Sequence, residues 1–349
     1  MAGSGTSRGT SGRRSPGRRL GRIVGVLAAI LAANLLILAA DAARTMALDP
    51  PDPPTTNVVN HDITWARNPE DKAKQVELDA TLMKHCREAS FVVVTFSGTG
   101  MEDSHYQANM IQPMVEDLGG CIMYQWYGHR YDAAASARSV ANAVADVTAS
   151  GKRKPVVFLG ASFGGIAAED VATDPVVRES KAIEVKKIVM IATPVDMNDV
   201  IQDVFTIPVP AIKDIPLQIP PFGGLVVLGN AINGQRQRGQ LADPEEWRHT
   251  FVNAEKTRAV LMWSQLQRLR RGMLIMQTDV PIDYLASPGT DHTVNTDQAY
   301  QRIDSVIEAE TRYFIIEGGG HDRGWLLSTA DKYNVIIGPI LQEMFGATG

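Results

Sequence analysis

With 349 residues, 44% of them hydrophobic and 21% charged, the chain can bury one large core or two ordinary ones, and its composition excludes a disordered polymer. The formal charge of −5 is unevenly spread: residues 1–22 hold six arginines (8, 13, 14, 18, 19 and 22) and no acid, so the rest is strongly acidic. An acidic body does not neutralise a phosphate backbone, and nucleic acid is therefore not an expected partner.

The basic start runs into "IVGVLAAILAANLLILAA", Ile23 to Ala40, eighteen residues without a charge. That length reads either as a short membrane-spanning signal-anchor over residues 23–43 or as a signal peptide, for which Ala40-Asp41-Ala42 offers small-residue cleavage sites. In the anchor reading, residues 1–22 stay cytoplasmic and the apolar segment is the contact with the membrane. Both readings export the body. "LDPPDPPTTN", with four prolines, then reads as part of a semi-extended linker over residues 44–57, and the folded domain is expected over 58–349.

"NVVNHDITW" gives a weak signal for a strand or two, and Pro69 to Lys84 reads as a helix. "FVVVTF" (Phe91 to Phe96) is a continuous apolar strand of the kind covered on both faces. Tyr106, Met110, Met114 and Leu118 mark a helix that Pro113 bends, and "CIMYQWY" (Cys121 to Tyr127) is the next strand. A helix over Asp132 to Ser150 follows, stopped by Gly151, and then "PVVFL" (Pro155 to Leu159) as a strand. Strands are also expected at Lys187 to Thr193, Val280 to Ser287 and Tyr313 to Glu317, and helices at Thr296 to Ala309 and Asp331 to Phe345. This alternation predicts an α/β fold with a mostly parallel sheet covered by helices on both faces. Between Pro194 and Gly272 it stops: a proline-rich aliphatic stretch and a helical one suggest an insertion over about 196–272, with Arg268, Arg270 and Arg271 as a solvated helix end.

Ligands on parallel sheets bind beyond the C-terminal ends of the strands, so the loops leaving the strands are where chemistry is sought. They read "SGTGMEDS" from Ser97, "GASFGG" from Gly160, "PGTDHTV" from Pro288 and "GGGHDRGW" from Gly318. Between them they hold Ser162, Asp291 and His321. A serine hydroxyl attacks only when a base takes its proton, a role that histidine fills near neutral pH. A carboxylate must fix the ring's tautomer; Asp291 is favoured by its place after a strand over Asp279, Asp283 and Asp297, and over Asp196 and Asp199 after the preceding strand. The oxyanion formed in attack needs preset donors, expected from the N–H of Phe163 and from Thr99 or Gly100. The pattern G-x-S-x-G occurs twice, but Gly5 to Gly9 has no strand before it and no helix after it, whereas Gly160 to Gly164 has both. Cys86 and Cys121 flank one strand-helix unit, where they can pair or remain two buried thiols.

Over about Phe91 to Phe345 the chain resembles the serine hydrolases of the alpha/beta-hydrolase fold. Gly160-Ala161-Ser162-Phe163-Gly164 is similar to the family's nucleophile elbow, and Ser162, Asp291, His321 stand in the family's order. The resemblance implies Ser162 as nucleophile, Asp291 as acid and His321 as base, with the insertion as a cap over the site. Where many members have His-Gly after the third strand this chain has Ser97-Gly98, a weaker match for the oxyanion loop. The expected activity is cleavage of a carboxylic ester, small or lipid-like, through an acyl-enzyme. Thioester or peptide cleavage, or a binding module that keeps the fold, are the alternatives. No metal or organic cofactor is called for, and no metal-ligand spacing appears.

Overall fold

The computed structural model describes residues 53–58, 81–99, 101, 104–128, 130–200, 259–273, 278–291, 293–321 and 330–346, together with residues 25, 28, 29 and 32. The basic tail, most of the 23–43 segment, the greater part of the linker, residues 201–258 of the expected cap, and Gly100 lie outside them. No helix among the described residues is long and apolar enough to cross a membrane.

Seven strands form one sheet in the order β1-β3-β2-β4-β5-β6-β7. They are β1 (Thr55–Val58), β2 (Phe91–Phe96), β3 (Gly120–Trp126), β4 (Lys154–Ala161), β5 (Ile183–Ile191), β6 (Ile282–Ala286) and β7 (Thr311–Ile315). β1 pairs antiparallel with β3 and every other pair is parallel. Residues 55–57, expected at the end of the linker, are therefore already part of the sheet. β7 begins two residues before the expected Tyr313, because Thr311 continues the β6 ladder by pairing with Ile282.

The helices are α1 (His105–Asp117), α2 (Ala133–Asp146), α3 (Phe163–Thr173), the single turn α4 (Pro175–Arg178), α5 (Ala259–Arg270), α6 (Thr296–Asp304) and α7 (Ala330–Phe345). α2 starts where the Asp132 side chain accepts from the Ala135 N–H, which satisfies one orphan donor of its first turn. Alternate residues of β2 face opposite layers. Val92, Val94 and Phe96 join one buried cluster with Val140, Val144, Ile166 and Ile303, under α2, α3 and α6. Phe91 and Val93 join the other with Ala108, Ile111, Tyr333 and Ile337, under α1 and α7. A continuous apolar strand is thus what a sheet covered on both faces requires.

Far from the C-terminal edge, a disulfide ties Cys86, in the helical residues 81–88, to Cys121 at the start of β3. Beside it the Lys154 ammonium donates to the carbonyls of Cys86, Arg87 and Ala89 at 3.2, 3.2 and 2.6 Å, closing the C-terminal end of that helical turn. Burial holds the Lys154 pKa below its ordinary value.

Candidate active site

β4 leads into α3 through one residue. Ser162 sits at φ 55°, ψ −127°, a conformation that costs a non-glycine residue about 1–3 kcal/mol and persists only when its surroundings fix it. They do: the Ser162 N–H donates to the Ile191 carbonyl of β5 at 2.8 Å, and the Gly165 N–H returns to the Ser162 carbonyl at 3.1 Å. The turn is tight enough to demand glycine on both sides. A Cβ on Gly160 would stand 2.1 Å from the Gly164 carbonyl oxygen, and one on Gly164 would stand 2.1 Å from that of Phe96.

His321 arrives on the loop after β7, where Gly318 and Gly320 take φ values of +62° and +87°. The loop is held from below by the Tyr333 hydroxyl of α7, which donates to the Gly320 carbonyl at 2.7 Å and shares a 2.9 Å hydrogen bond with the Ser287 hydroxyl. Asp291 arrives after β6, its N–H bonded to the Ser287 carbonyl at 2.8 Å. One oxygen of its carboxylate, Oδ1, accepts from the N–H groups of Thr293 and Val294, each at 2.8 Å. Ser287 thus connects the loop of the acid with the loop of the histidine.

The three side chains meet. His321 Nε2 lies 3.0 Å from Ser162 Oγ, and His321 Nδ1 lies 3.0 Å from Asp291 Oδ2. Residues 159 positions apart are brought into direct contact. A carboxylate engaged by two backbone donors is an acceptor toward the ring as well, so Nδ1 carries the hydrogen and Nε2 is left to accept from the serine hydroxyl. The Asp291 side chain is 1% exposed and that of His321 13%, so water competes little for the pair. Such a chain of donors can draw the proton from Ser162 as its oxygen attacks.

The other carboxylates weighed from the sequence are engaged elsewhere. Asp279 pairs with Arg178, Asp283 with Lys187 and Arg312, and Asp297 accepts from the Tyr313 hydroxyl. Asp196 and Asp199 both grip Arg302. The Arg302 hydrogen bond, only partly opposed by burial, holds the Asp196 carboxyl below the usual carboxylate range. Phe163 is the first residue of α3 and is fully buried; Thr99 stands in a turn in which the Met101 N–H reaches the Gly98 carbonyl at 3.3 Å.

Sequence reading missed the layer below the serine. Arg268, expected as part of a solvated helix end, is 11% exposed and grips Asp170 of α3, 4% exposed, through Nε (3.0 and 2.8 Å) and Nη2, while Nη1 donates to the Gly272 carbonyl. The Tyr131 hydroxyl donates to the same carboxylate at 2.7 Å, and the Tyr131 N–H donates to Ser264 Oγ of α5 at 2.8 Å. Burial lowers the Arg268 pKa, but the bonds and charge of Asp170 outweigh it and leave the guanidinium above its ordinary value. Burial, followed by the charge of Asp170, pushes the Tyr131 hydroxyl well up. A signal was present: Glu169 and Asp170 interrupt an otherwise apolar, fully packed helix, and buried acids demand partners. Among the described residues, no group of three or more His, Cys, Asp or Glu is placed to hold a metal ion.

The fold is shared with solved structures of low sequence similarity. A thermophilic esterase from Thermogutta terrifontis superposes with a TM-score of 0.51 at 13% identity, covering 74% of this chain and 91% of that one. A hydrolase from Oleispira antarctica gives 0.51 at 13% identity over 77% and 97%. A hydrolase from Pseudomonas aeruginosa gives 0.50 at 14% identity over 74% and 91%. No curated protein sequence matches the chain. The sequence profile of the alpha/beta hydrolase family, however, matches residues 91–334, a span that holds the strained serine, the acid and the histidine, and the chain belongs to that family.

Proposed function

We propose that this protein is a serine hydrolase that cleaves a carboxylic ester by nucleophilic catalysis. The observation that carries the reading is the unbroken hydrogen-bonded chain from Ser162 through His321 to Asp291. His321 Nε2 takes the hydroxyl proton as Ser162 Oγ bonds to the ester carbonyl carbon. Asp291 stabilises the imidazolium that forms and keeps it in register. The oxyanion is received by the N–H of Phe163, at the start of α3, and by a second donor from Thr99 or Gly100 after β2. The imidazolium returns its proton to the departing alkoxide, leaving an acyl-Ser162 that water, activated by the same histidine, releases as the acid. The aliphatic, proline-rich residues between 203 and 234 favour an apolar cap and hence acyl or lipid-like esters.

The same proposal sets the reaction outside the cytoplasm, behind an N-terminal segment that anchors the chain or directs its export. The arginine-rich start, the apolar run after it and the Cys86–Cys121 disulfide support this, since such bonds persist in oxidising compartments.

The test is labelling of the full-length protein with a fluorophosphonate probe, beside hydrolysis of 4-nitrophenyl esters of rising acyl length. Wild type is expected to label and Ser162→Ala to remain blank, with longer acyl chains preferred. A wild type that neither labels nor hydrolyses refutes the enzyme reading and leaves a binding module on this fold.

A further inference from the structure

Tyr127, the first residue after β3, has no place in the chemistry described above, yet it is fully buried. Its hydroxyl crosses 30 positions of sequence to donate to the Ser97 carbonyl at 3.0 Å. Its ring lies edge-on to Phe163, with centroids 6.4 Å apart and planes at 75°. One side chain therefore touches both segments assigned to the oxyanion pocket: the chain entering the Gly98–Thr99 turn, and the residue whose N–H heads α3.

The geometry at Ser97 has a direct consequence. A trans peptide is planar, so its carbonyl oxygen and the N–H of the next residue point in opposite directions. Drawing the Ser97 oxygen into the core toward Tyr127 turns the Gly98 N–H the other way and fixes the peptide plane from which the chain runs on to Thr99. From the opposite side Gly164 of α3 presses on the same stretch, where an added Cβ would meet the Phe96 and Ser97 oxygens at 2.1 and 2.9 Å. The turn thus has one face against the nucleophile's helix and its carbonyl tied by a hydroxyl. Burial pushes the Tyr127 hydroxyl far above its ordinary pKa, so it remains a neutral donor at any working pH.

We infer that Tyr127 is a positioning residue for the oxyanion pocket, setting the donors after β2 through the Ser97 carbonyl and the donor of α3 through the Phe163 ring. The inference rests on the hydrolase reading given above. It acts on the transition state rather than on substrate binding, because an oxyanion exists only after attack. The loss predicted is smaller than for deletion of a donor, because the amides remain and only their aim is loosened.

In the full-length protein, Tyr127→Phe removes one hydroxyl and keeps the ring. With a 4-nitrophenyl ester, kcat should fall about tenfold or more while KM stays within about twofold, and affinity for a trifluoromethyl ketone should fall in parallel with kcat. Tyr131→Phe removes the neighbouring buried hydroxyl, which bonds Asp170 instead, and should lower stability with kcat within about threefold of wild type. Unchanged kcat in Tyr127→Phe, or equal losses of kcat in both variants, would make Tyr127 merely structural and overturn the inference. If Tyr127→Phe does not fold, site-specific 3-fluorotyrosine at 127 preserves shape and bond. Its fluorine resonance should then shift when the ketone adds to Ser162, and a resonance that stays put overturns the inference equally. A wild type inert to ester and fluorophosphonate alike removes the hydrolase reading first and this inference with it.

Discussion

Replacing Arg268 with methionine separates two pictures of the segment that returns from residues 201–258. If Arg268 were the solvated helix end that its sequence suggests, losing its charge would cost no more than an exposed ion pair, about 0.2–1 kcal/mol. The structure sets a different magnitude. Arg268 is 11% exposed and Asp170 4%, and the guanidinium makes a forked contact with both carboxylate oxygens. Methionine leaves Asp170 buried with the Tyr131 hydroxyl at 2.7 Å as its remaining hydrogen-bond donor among the described residues. Breaking a buried pair from one side costs about 3–5 kcal/mol, a large part of the roughly 5–15 kcal/mol that holds a domain together. Urea unfolding followed by far-ultraviolet circular dichroism reads the loss as a lower midpoint at constant slope. The double variant Asp170→Asn with Arg268→Met should recover part of it, since the Asp170 charge is then not left alone, while the buried Glu169 carboxylate, 3.8 Å from the Arg268 guanidinium, still loses that cation. A single-variant loss below about 1 kcal/mol, or strict additivity in the double variant, refutes the reasoning.

Asp291→Asn should lower kcat by about 10⁴ with little change in KM: the asparagine oxygen satisfies the Thr293 and Val294 amides, its NH₂ faces Nδ1, and the ring must then carry its hydrogen on Nε2, where it cannot accept from Ser162. Loss of less than tenfold in the steady-state assay would contradict that tautomer argument. The Asp196 carboxyl is held below its usual value of 3.8 chiefly by Arg302, so the pair stabilises the fold at neutral pH and loses its contribution as the pH falls below that value. The stability gap between wild type and Arg302→Gln should therefore be level from neutrality to mild acid and narrow in strong acid; a gap that widens there has the wrong sign. Removing the disulfide with Cys86→Ser and Cys121→Ser should cost about 3–4 kcal/mol, from a closed loop of 35 residues, in urea unfolding. It should leave kcat unchanged, because Cys121 pairs with Val92 near the start of the strands and the serine follows their far ends; a fall in kcat would tie the bridge to the site.

The strands carrying the site were legible because their sequences had little choice. "FVVVTF" and "PVVFL" are apolar on both faces, which suits only a covered parallel sheet, and their exit loops are short enough to place Ser162, Asp291 and His321 at one edge. Glycines did the rest, since a serine between close-packed backbones needs neighbours without side chains. β1 was not legible: four half-polar residues after a proline run carry no periodicity, and only the ladder to β3 makes them a strand. Arg268 was misread for a related reason. A basic residue at the end of a helix looks solvated until a carboxylate 98 positions away is folded against it. Tyr127 gave no signal, because an aromatic residue ending a strand is expected in the core whether or not its hydroxyl has a task.

These failures share a cause that bears on how the site works. Periodicity and turn chemistry report what a residue does with its near neighbours in sequence, and they served well for strands, caps and the serine's turn. The rigidity of the site comes from contacts between segments. Ser162 is held off its preferred backbone conformation by the Ile191 carbonyl, the Ser97 carbonyl is tied by Tyr127, and the Gly320 carbonyl by Tyr333. In each case a loop's backbone polar group is satisfied by a strand, by the residue that directly follows one, or by a helix, rather than by its own loop. A loop that bonds only to itself can tilt as a unit; one bonded to a framework element cannot tilt without breaking that bond. The reacting groups thus stand on three loops while taking their positions from the sheet and from α7, which is how separate turns of chain can keep two 3.0 Å contacts in line.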